Sequence, residues 1–216
     1  AQEWMTCVGR LAFPIFAFMI AEGCYYTSNV KKYMLRLFLF AIISEIPFNL
    51  IMGSSVFYPF HQNVLWTFLL GVLSIQIIEK AKKKQKKWIS FFVVCLVLLM
   101  DFLLGTITMV DYNAAGILTV LLFYFFRKKT WISFAAQLVG LYYLNVVMLG
   151  NLYYPVTILG HHFEIAQQSF ALLALIPIWL YHGEQGYHSK WFKYFCYAFY
   201  PVHLLILVVI WQWRIR

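Results

Sequence analysis

The chain reads as an all-α, polytopic transmembrane helical bundle of about eight spans, on three observations. The composition is 63% hydrophobic and 12% charged over 216 residues, against about a quarter charged in soluble domains. The apolar residues gather into successive stretches joined by short loops: Leu11–Tyr26, Tyr33–Met52, Asn63–Ile78, Trp88–Leu104, Asn113–Phe126, Trp131–Leu149, Ile165–Tyr181 and Phe195–Trp213. The positive charge falls in every second gap.

Each stretch approaches the roughly 20 residues that carry a helix across a hydrocarbon core, although several run short. The first gap holds Lys31 and Lys32, with Arg36 just inside the next helix. The third carries Lys80, Lys82, Lys83, Lys84, Lys86 and Lys87, the fifth Arg127, Lys128 and Lys129, and the seventh Lys190 and Lys193. The intervening gaps, 53–62, 105–112 and 150–164, hold neither Lys nor Arg. Basic loops stay in the cytoplasm, so both chain ends are expected outside, with Arg214 and Arg216 as the exception to the pattern. The formal charge of +9 is then topogenic and meets anionic lipid headgroups rather than nucleic acid. Cys7, Cys24, Cys95 and Cys196 show no CxxC spacing and read as small hydrophobes. Residues 1–216 form one domain, with no linker and no internal repeat.

Polar groups inside spanning segments are costly and mark candidate sites. Arg10 stands at the outer start of the first segment, where snorkelling and a place in a site are equally open. Glu22 lies one turn before the inner end of that helix, and Arg36 is its expected structural partner. Glu45 is set deep in the second helix, with Pro47 freeing a nearby carbonyl and Asn49 one turn further on the same face. His61, Gln62, Asn63 and Thr67 open the third helix, Asn63 and Thr67 on one face. Asp101 ends the fourth helix on the outer side, and Asp111 caps the fifth. His203 in the last span needs partners for both ring nitrogens and reads as functional. The loop 182–188 and the cluster His161, His162 and Glu164 lack the spacing of a helix-borne zinc motif, so no metal is expected. No GxSxG, HExxH or GxGxxG motif occurs.

Several of these segments, taken in order, resemble the TraX family of integral membrane proteins. They are Gly9-Arg10-Leu11-Ala12-Phe13-Pro14-Ile15-Phe16, Glu22-Gly23, Lys32-Tyr33 with Arg36-Leu37, and Ser44-Glu45-Ile46-Pro47-Phe48-Asn49. Asn63-Val64 with Thr67 and Gly71, Asp111-Tyr112 to Gly116, Gly183-Glu184-Gln185-Gly186, and Tyr194-Phe195 through Tyr200-Pro201-Val202-His203 continue the match over nearly the whole chain. The resemblance implies a membrane acyltransferase that takes acetyl groups from acetyl-CoA, the founding member being associated with acetylation of a conjugative pilin. The family pattern begins one spanning helix earlier, with an adjacent Asp-His pair. An additional N-terminal span preceding Ala1 is therefore expected.

On that resemblance, acetyl-CoA approaches from the cytoplasm, its phosphates held by Arg36, Lys193 and Lys32 with Gly183 and Gly186 close by. His203 is the expected base, oriented by Glu45 or Asp101. Arg10, Asn63, Thr67 and His61 are the expected substrate or oxyanion contacts. The acceptor is an envelope or extracytoplasmic amine or hydroxyl on a pilin-like peptide or glycan, in a multi-pass protein of the bacterial inner membrane. Direct transfer and an acetyl-histidine intermediate both fit. A proton-coupled transporter or flippase with a His/Glu relay, and a non-enzymatic membrane scaffold, are the other two readings.

Overall fold

The computed structural model describes residues 2–150, 152–158, 161–184, 186 and 189–215. The helices are α1 (Gln2–Gly9), α2 (Ala12–Tyr26), α3 (Val30–Gly53), α4 (Val64–Lys84), α5 (Lys87–Ile107), α6 (Asn113–Phe125), α7 (Trp131–Leu141), α8 (Leu175–Leu180) and α9 (Lys190–Ile215). A π-helical segment, Tyr142–Met148, continues α7, and a 3-10 helix, Gln167–Ala174, leads into α8. Strands β1 (Tyr153–Ile158) and β2 (His161–Ala166) pair antiparallel between them.

Among the described residues, six helical runs are long and apolar enough to cross a membrane: Met5–Tyr26, Val30–Gly53, Val64–Lys84, Lys87–Ile107, Trp131–Met148 and Tyr194–Trp213. The other two expected spans are shorter apolar runs, Asn113–Phe125 and Gln167–Leu180. The second is stretched by its 3-10 half. Eight residues at about 2.0 Å and six at about 1.5 Å reach roughly 25 Å, some 4 Å more than an all-α segment of that length. The first span begins at Met5 rather than Leu11, because α1 and α2 form one run interrupted only at Arg10 and Leu11. Pro14 accounts for the interruption. It offers no N–H to the Arg10 carbonyl, and its ring crowds that oxygen.

Helix α6 is the centre of the bundle. Ala114, Ala115, Gly116, Ile117, Thr119, Val120, Leu121 and Phe123 are all buried, and α2, α4 and α5 pack around it. With hydrocarbon outside, helices associate through close van der Waals fit rather than through the hydrophobic effect, and small residues permit that approach. Ala17 and Ala21 of α2 are almost wholly buried. Gly105 of α5 lies against the backbone of Ala114, and Gly71 of α4 against Val120. Helix α9 packs chiefly on α3, at the edge of the bundle. The outer surface is apolar, and Trp88, Trp131 and Trp191 stand exposed near the starts of α5, α7 and α9, as interfacial anchors do.

The basic loops share one end of the bundle. Contacts between Glu22 and Arg127, Glu79 and Tyr124, and Lys129 and the Trp179 carbonyl join the ends of α2, α4, α6 and α8 there. The opposite end is closed by Gln62, which donates its N–H to the Met109 carbonyl (3.0 Å) and accepts from the Asp111 N–H (2.9 Å). The alternation read from the lysines is thus matched by helix direction.

A Cβ placed on Gly105 would stand 2.6 Å from the Ala114 Cα and N. Overpacking of this kind costs about 1–3 kcal/mol. Gly105→Ala should therefore lower the thermal midpoint of the detergent-solubilised protein, while Gly9→Ala, with open space around it, should not. Equal midpoints would contradict the close α5–α6 approach.

Candidate functional site

At the end opposite the lysines, polar side chains from α3, α4, α9 and the α5–α6 loop converge. Glu45 reaches from α3 to α4, where its Oε2 accepts from the Asn63 side-chain amide and from Trp66 Nε1 (2.9 Å). Its Oε1 is buried with no hydrogen-bond partner among the described residues. Asn63 is fully buried; it donates also to the Ala41 carbonyl (2.9 Å) and accepts from the Leu65 N–H, so it caps α4 while bridging to α3. Thr67 donates to the Asp111 carbonyl at 2.6 Å.

His61 and Asp111 form the acid–base pair of this cluster. Their side chains approach to 3.4 Å, both about one third exposed, and His61 stacks on Phe48. The contact with Asp111 raises the His61 pKa above its ordinary value, against the opposing effect of burial, and the charge of Glu45 adds to the rise. Asp111 does not cap α6 as expected. The N-cap is Tyr112, without a side-chain bond, and the Asp111 carboxylate accepts from the Tyr112 N–H while facing His61. The loop is strained: Met109, Tyr112 and Asn113 all hold positive φ (51°, 62° and 47°), a conformation that side-chain-bearing residues adopt at a cost.

Tyr112 stacks on Phe13 with centroids 3.8 Å apart and hydrogen-bonds Arg10. Burial first, then the Asp111 charge, pushes its phenol pKa up, so it is a neutral donor. Arg10 faces inward rather than snorkelling. Its Nη2 donates to Gln167 Oε1 (3.0 Å), and Gln167 in turn donates to the Tyr154 hydroxyl (2.6 Å), tying the β-hairpin to the bundle. Arg10 Nε is buried with no partner among the described residues.

The sequence-predicted residues divide on this geometry. Of the expected oxyanion donors, Arg10 keeps a buried one, Nε, without a partner among the described residues. Both Asn63 amide hydrogens and the Thr67 hydroxyl are already bonded, so neither is free for an oxyanion. Asp101 is deeper than expected, six residues before the end of α5, and accepts from Ser74 of α4 at 2.7 Å. It does not orient His203, since α5 packs on α4 and α6 whereas α9 packs on α3. His203 stacks on Phe199, and its Nδ1 lies 2.9 Å from the Tyr200 carbonyl. Tyr200 is the α9 residue that meets the cluster, hydrogen-bonding the backbone of Val64 within electrostatic range of Asp111 and Glu45. Sequence reasoning missed Tyr112, Tyr200, Trp66 and Gln167. A Tyr or Trp in an apolar run looks like core, and only the fold shows which rings carry a polar partner.

At the basic end, a cavity of about 720 Å³ opens between α2 and α8, walled by Ile15, Met19, Glu22, Tyr26, Ile178 and Gly183 among others. Glu22 pairs with Arg127 at 2.5 Å, not with Arg36. Arg36 belongs to the same layer but turns towards α9, over the Tyr197 ring. Lys129 donates to the carbonyls of Trp179 and Tyr181 beside the cavity. Gly183, at φ +80°, is part of the wall, and Gly186 is exposed, with room for a Cβ among the described residues. Lys32 is exposed at the start of α3. Lys193 lies in the first turn of α9, with its side chain outside the described residues, as is Gln185.

Comparison with known proteins adds the following. Residues 1–211 match the family described as "TraX protein". A curated protein of Dichelobacter nodosus, named "Probable fimbrial assembly protein FimC, serogroup H1", is 26% identical over 213 residues, covering 95% of this chain and 82% of its own length. No solved structure matches.

The Glu22–Arg127 pair is testable by a double-mutant cycle. Arg127→Gln leaves a largely buried carboxylate without its cation and should destabilise the protein by about 1–3 kcal/mol. Adding Glu22→Gln should recover most of the loss. Strict additivity in thermal unfolding would contradict the pairing.

Proposed function

The chain belongs to the TraX family, and from that premise we propose that it is an integral inner-membrane acetyltransferase serving envelope or pilus proteins. The carrying observation is the opposition of two ends. Cations and a cavity lie at one, and an acid–base cluster with unpaired Glu45 and Arg10 atoms lies at the other. By the positive-inside rule the lysine-bearing end faces the cytoplasm, where acetyl-CoA is available. Arg127 and Lys129, with Lys32 at the same end, form the cationic collar that meets its phosphates, while Arg36 turns away over the Tyr197 ring. The name of the Dichelobacter nodosus relative favours a protein acceptor, an amine on a pilin-like chain.

In this reading the acceptor amine sits against the unpaired Glu45 oxygen and attacks the thioester carbonyl. His61 takes the amine proton, with Asp111 stabilising the imidazolium that forms. Arg10, with Tyr112 beside it, donates to the oxyanion. The C–N bond forms, the C–S bond breaks, and the CoA sulfur leaves, recovering a proton from His61. His61 takes precedence over His203 as the base because it has a carboxylate partner.

Mass spectrometry of envelope proteins from cells with and without the protein should show a single-acetyl increment dependent on it. Its absence from every envelope fraction would overturn the proposal. His61→Ala should reduce transfer by about 10²-fold or more, as loss of a general base does. His203→Ala should leave most of it. The reverse ranking would move the base to α9.

The pH dependence has a definite sign. His61 must be neutral to accept a proton, so activity rises with pH through a midpoint above the ordinary histidine value. Asp111→Asn should move that midpoint down. The raised pKa also means that the His61–Asp111 contact stabilises the fold fully below the unfolded histidine pKa and loses that contribution as pH rises through the folded one. A midpoint unmoved in the Asp111→Asn protein would contradict this role.

A further inference from the structure

We infer that the cavity between α2 and α8 is the binding site for the acyl-CoA donor, its phosphates at Arg127 and Lys129 and its arm lying along α2. The inference rests on the transferase reading and adds a location that the cationic collar alone does not provide.

The shape and lining carry it. The wall runs along α2 from Tyr26 to Ile15, a length of roughly 16 Å at the helical rise, and is faced by Ile178 and Pro177 of α8. These side chains are apolar and suit a slender, uncharged arm. The charged groups stand at the mouth. The Glu22 carboxylate is already neutralised by Arg127, whose guanidinium lies 3.3 Å over the Tyr25 ring and 5.2 Å from that of Tyr26. Lys129 is held beside the mouth by two backbone carbonyls, which leave its charge uncompensated. A ligand that matches this order of surfaces has an anionic phosphate head and one long uncharged arm. The far end of the cavity, at Ile15, is five residues from Arg10, or roughly 7.5 Å along the helix. An arm lying in it carries the thioester towards the Arg10 and Tyr112 donors. Gly183, with its left-handed backbone and a virtual Cβ 3.7 Å from the Tyr26 hydroxyl, brings the α8–α9 loop over the mouth.

Equilibrium binding of acetyl-CoA to the purified full chain in detergent tests the assignment. Met19→Trp fills the cavity from an exposed position on α2, and Lys129→Gln removes a mouth cation. Each should weaken binding about tenfold or more, whereas Arg36→Gln, directed towards α9, should change it by less than about twofold. Thermal midpoints check folding, and if Met19→Trp misfolds, Lys129→Gln alone decides. Weakened binding in Arg36→Gln, with the other two unchanged, would put the donor on the α3–α9 face. That result overturns this site while leaving acetyl transfer standing. Displacement of acetyl-CoA by equimolar phosphatidylglycerol would make the cavity a lipid site and overturn the inference. No binding of acetyl-CoA by the unmodified protein would overturn both readings.

Discussion

A carboxylate within hydrocarbon must find its partner inside the protein, and that requirement organises this chain. Five of its eight acidic residues tie particular segments together. Glu22 joins α2 to the end of α6 through Arg127, Glu45 joins α3 to α4 through Asn63 and Trp66, and Asp101 joins α5 to α4 through Ser74. Glu79 joins α4 to α6 through Tyr124, and Asp111 joins the α5–α6 loop to His61. Apolar side chains meet lipid and protein on nearly equal terms, so they do little to decide which helix sits beside which. The polar pairs do decide it, because an unpaired carboxylate costs far more than a displaced Leu.

The pairs also explain why polar groups gather towards the ends. Where α2, α4 and α6 meet, the mid-bundle is packed on small residues, Ala17, Ala21 and Gly71 among them, and Asp101 is a deeper acidic group bonded to Ser74. Towards the end opposite the lysines, the loops after α3 and α5 bind each other through the Gln62 backbone. Their hydrogen bonds hold Met109, Tyr112 and Asn113 in left-handed backbone, which places Asp111 and Tyr112 side by side with one facing His61 and the other Arg10. Helix α2 connects this cluster to the cavity, since Arg10 precedes its first turn and Glu22 its last.

Much of this was legible in the chain. Spans follow from apolar run length, and their alternating direction from the lysines, because both depend on distance along the membrane normal. That coordinate is readable from residue count. Position around the bundle is not. Glu22 was therefore assigned to the correct layer but the wrong cation, with Arg36 expected where Arg127 stands. The same limit affected His203 and Asp101, expected together as base and orienting group, although α5 packs on α4 and α6 and α9 on α3. The two short segments were read as ordinary spans because hydropathy does not distinguish a 3-10 helix from an α-helix, and the hairpin at 153–166 was read as part of a loop and the next span. Asn63 and Thr67 were expected as free donors. Only their partners, the Ala41 and Asp111 carbonyls and Glu45, show that they are structural.

The central claim is that the donor and the acceptor meet this bundle from opposite faces. Sealed vesicles of known orientation test it most directly. Acetyl-CoA labelled in its acetyl group is supplied only to the face bearing the Glu79–Lys87 loop, with acceptor protein present only on the other. The account predicts labelled acceptor, and none when the donor is supplied to the opposite face. Labelling that occurs only when donor and acceptor share one compartment would contradict it.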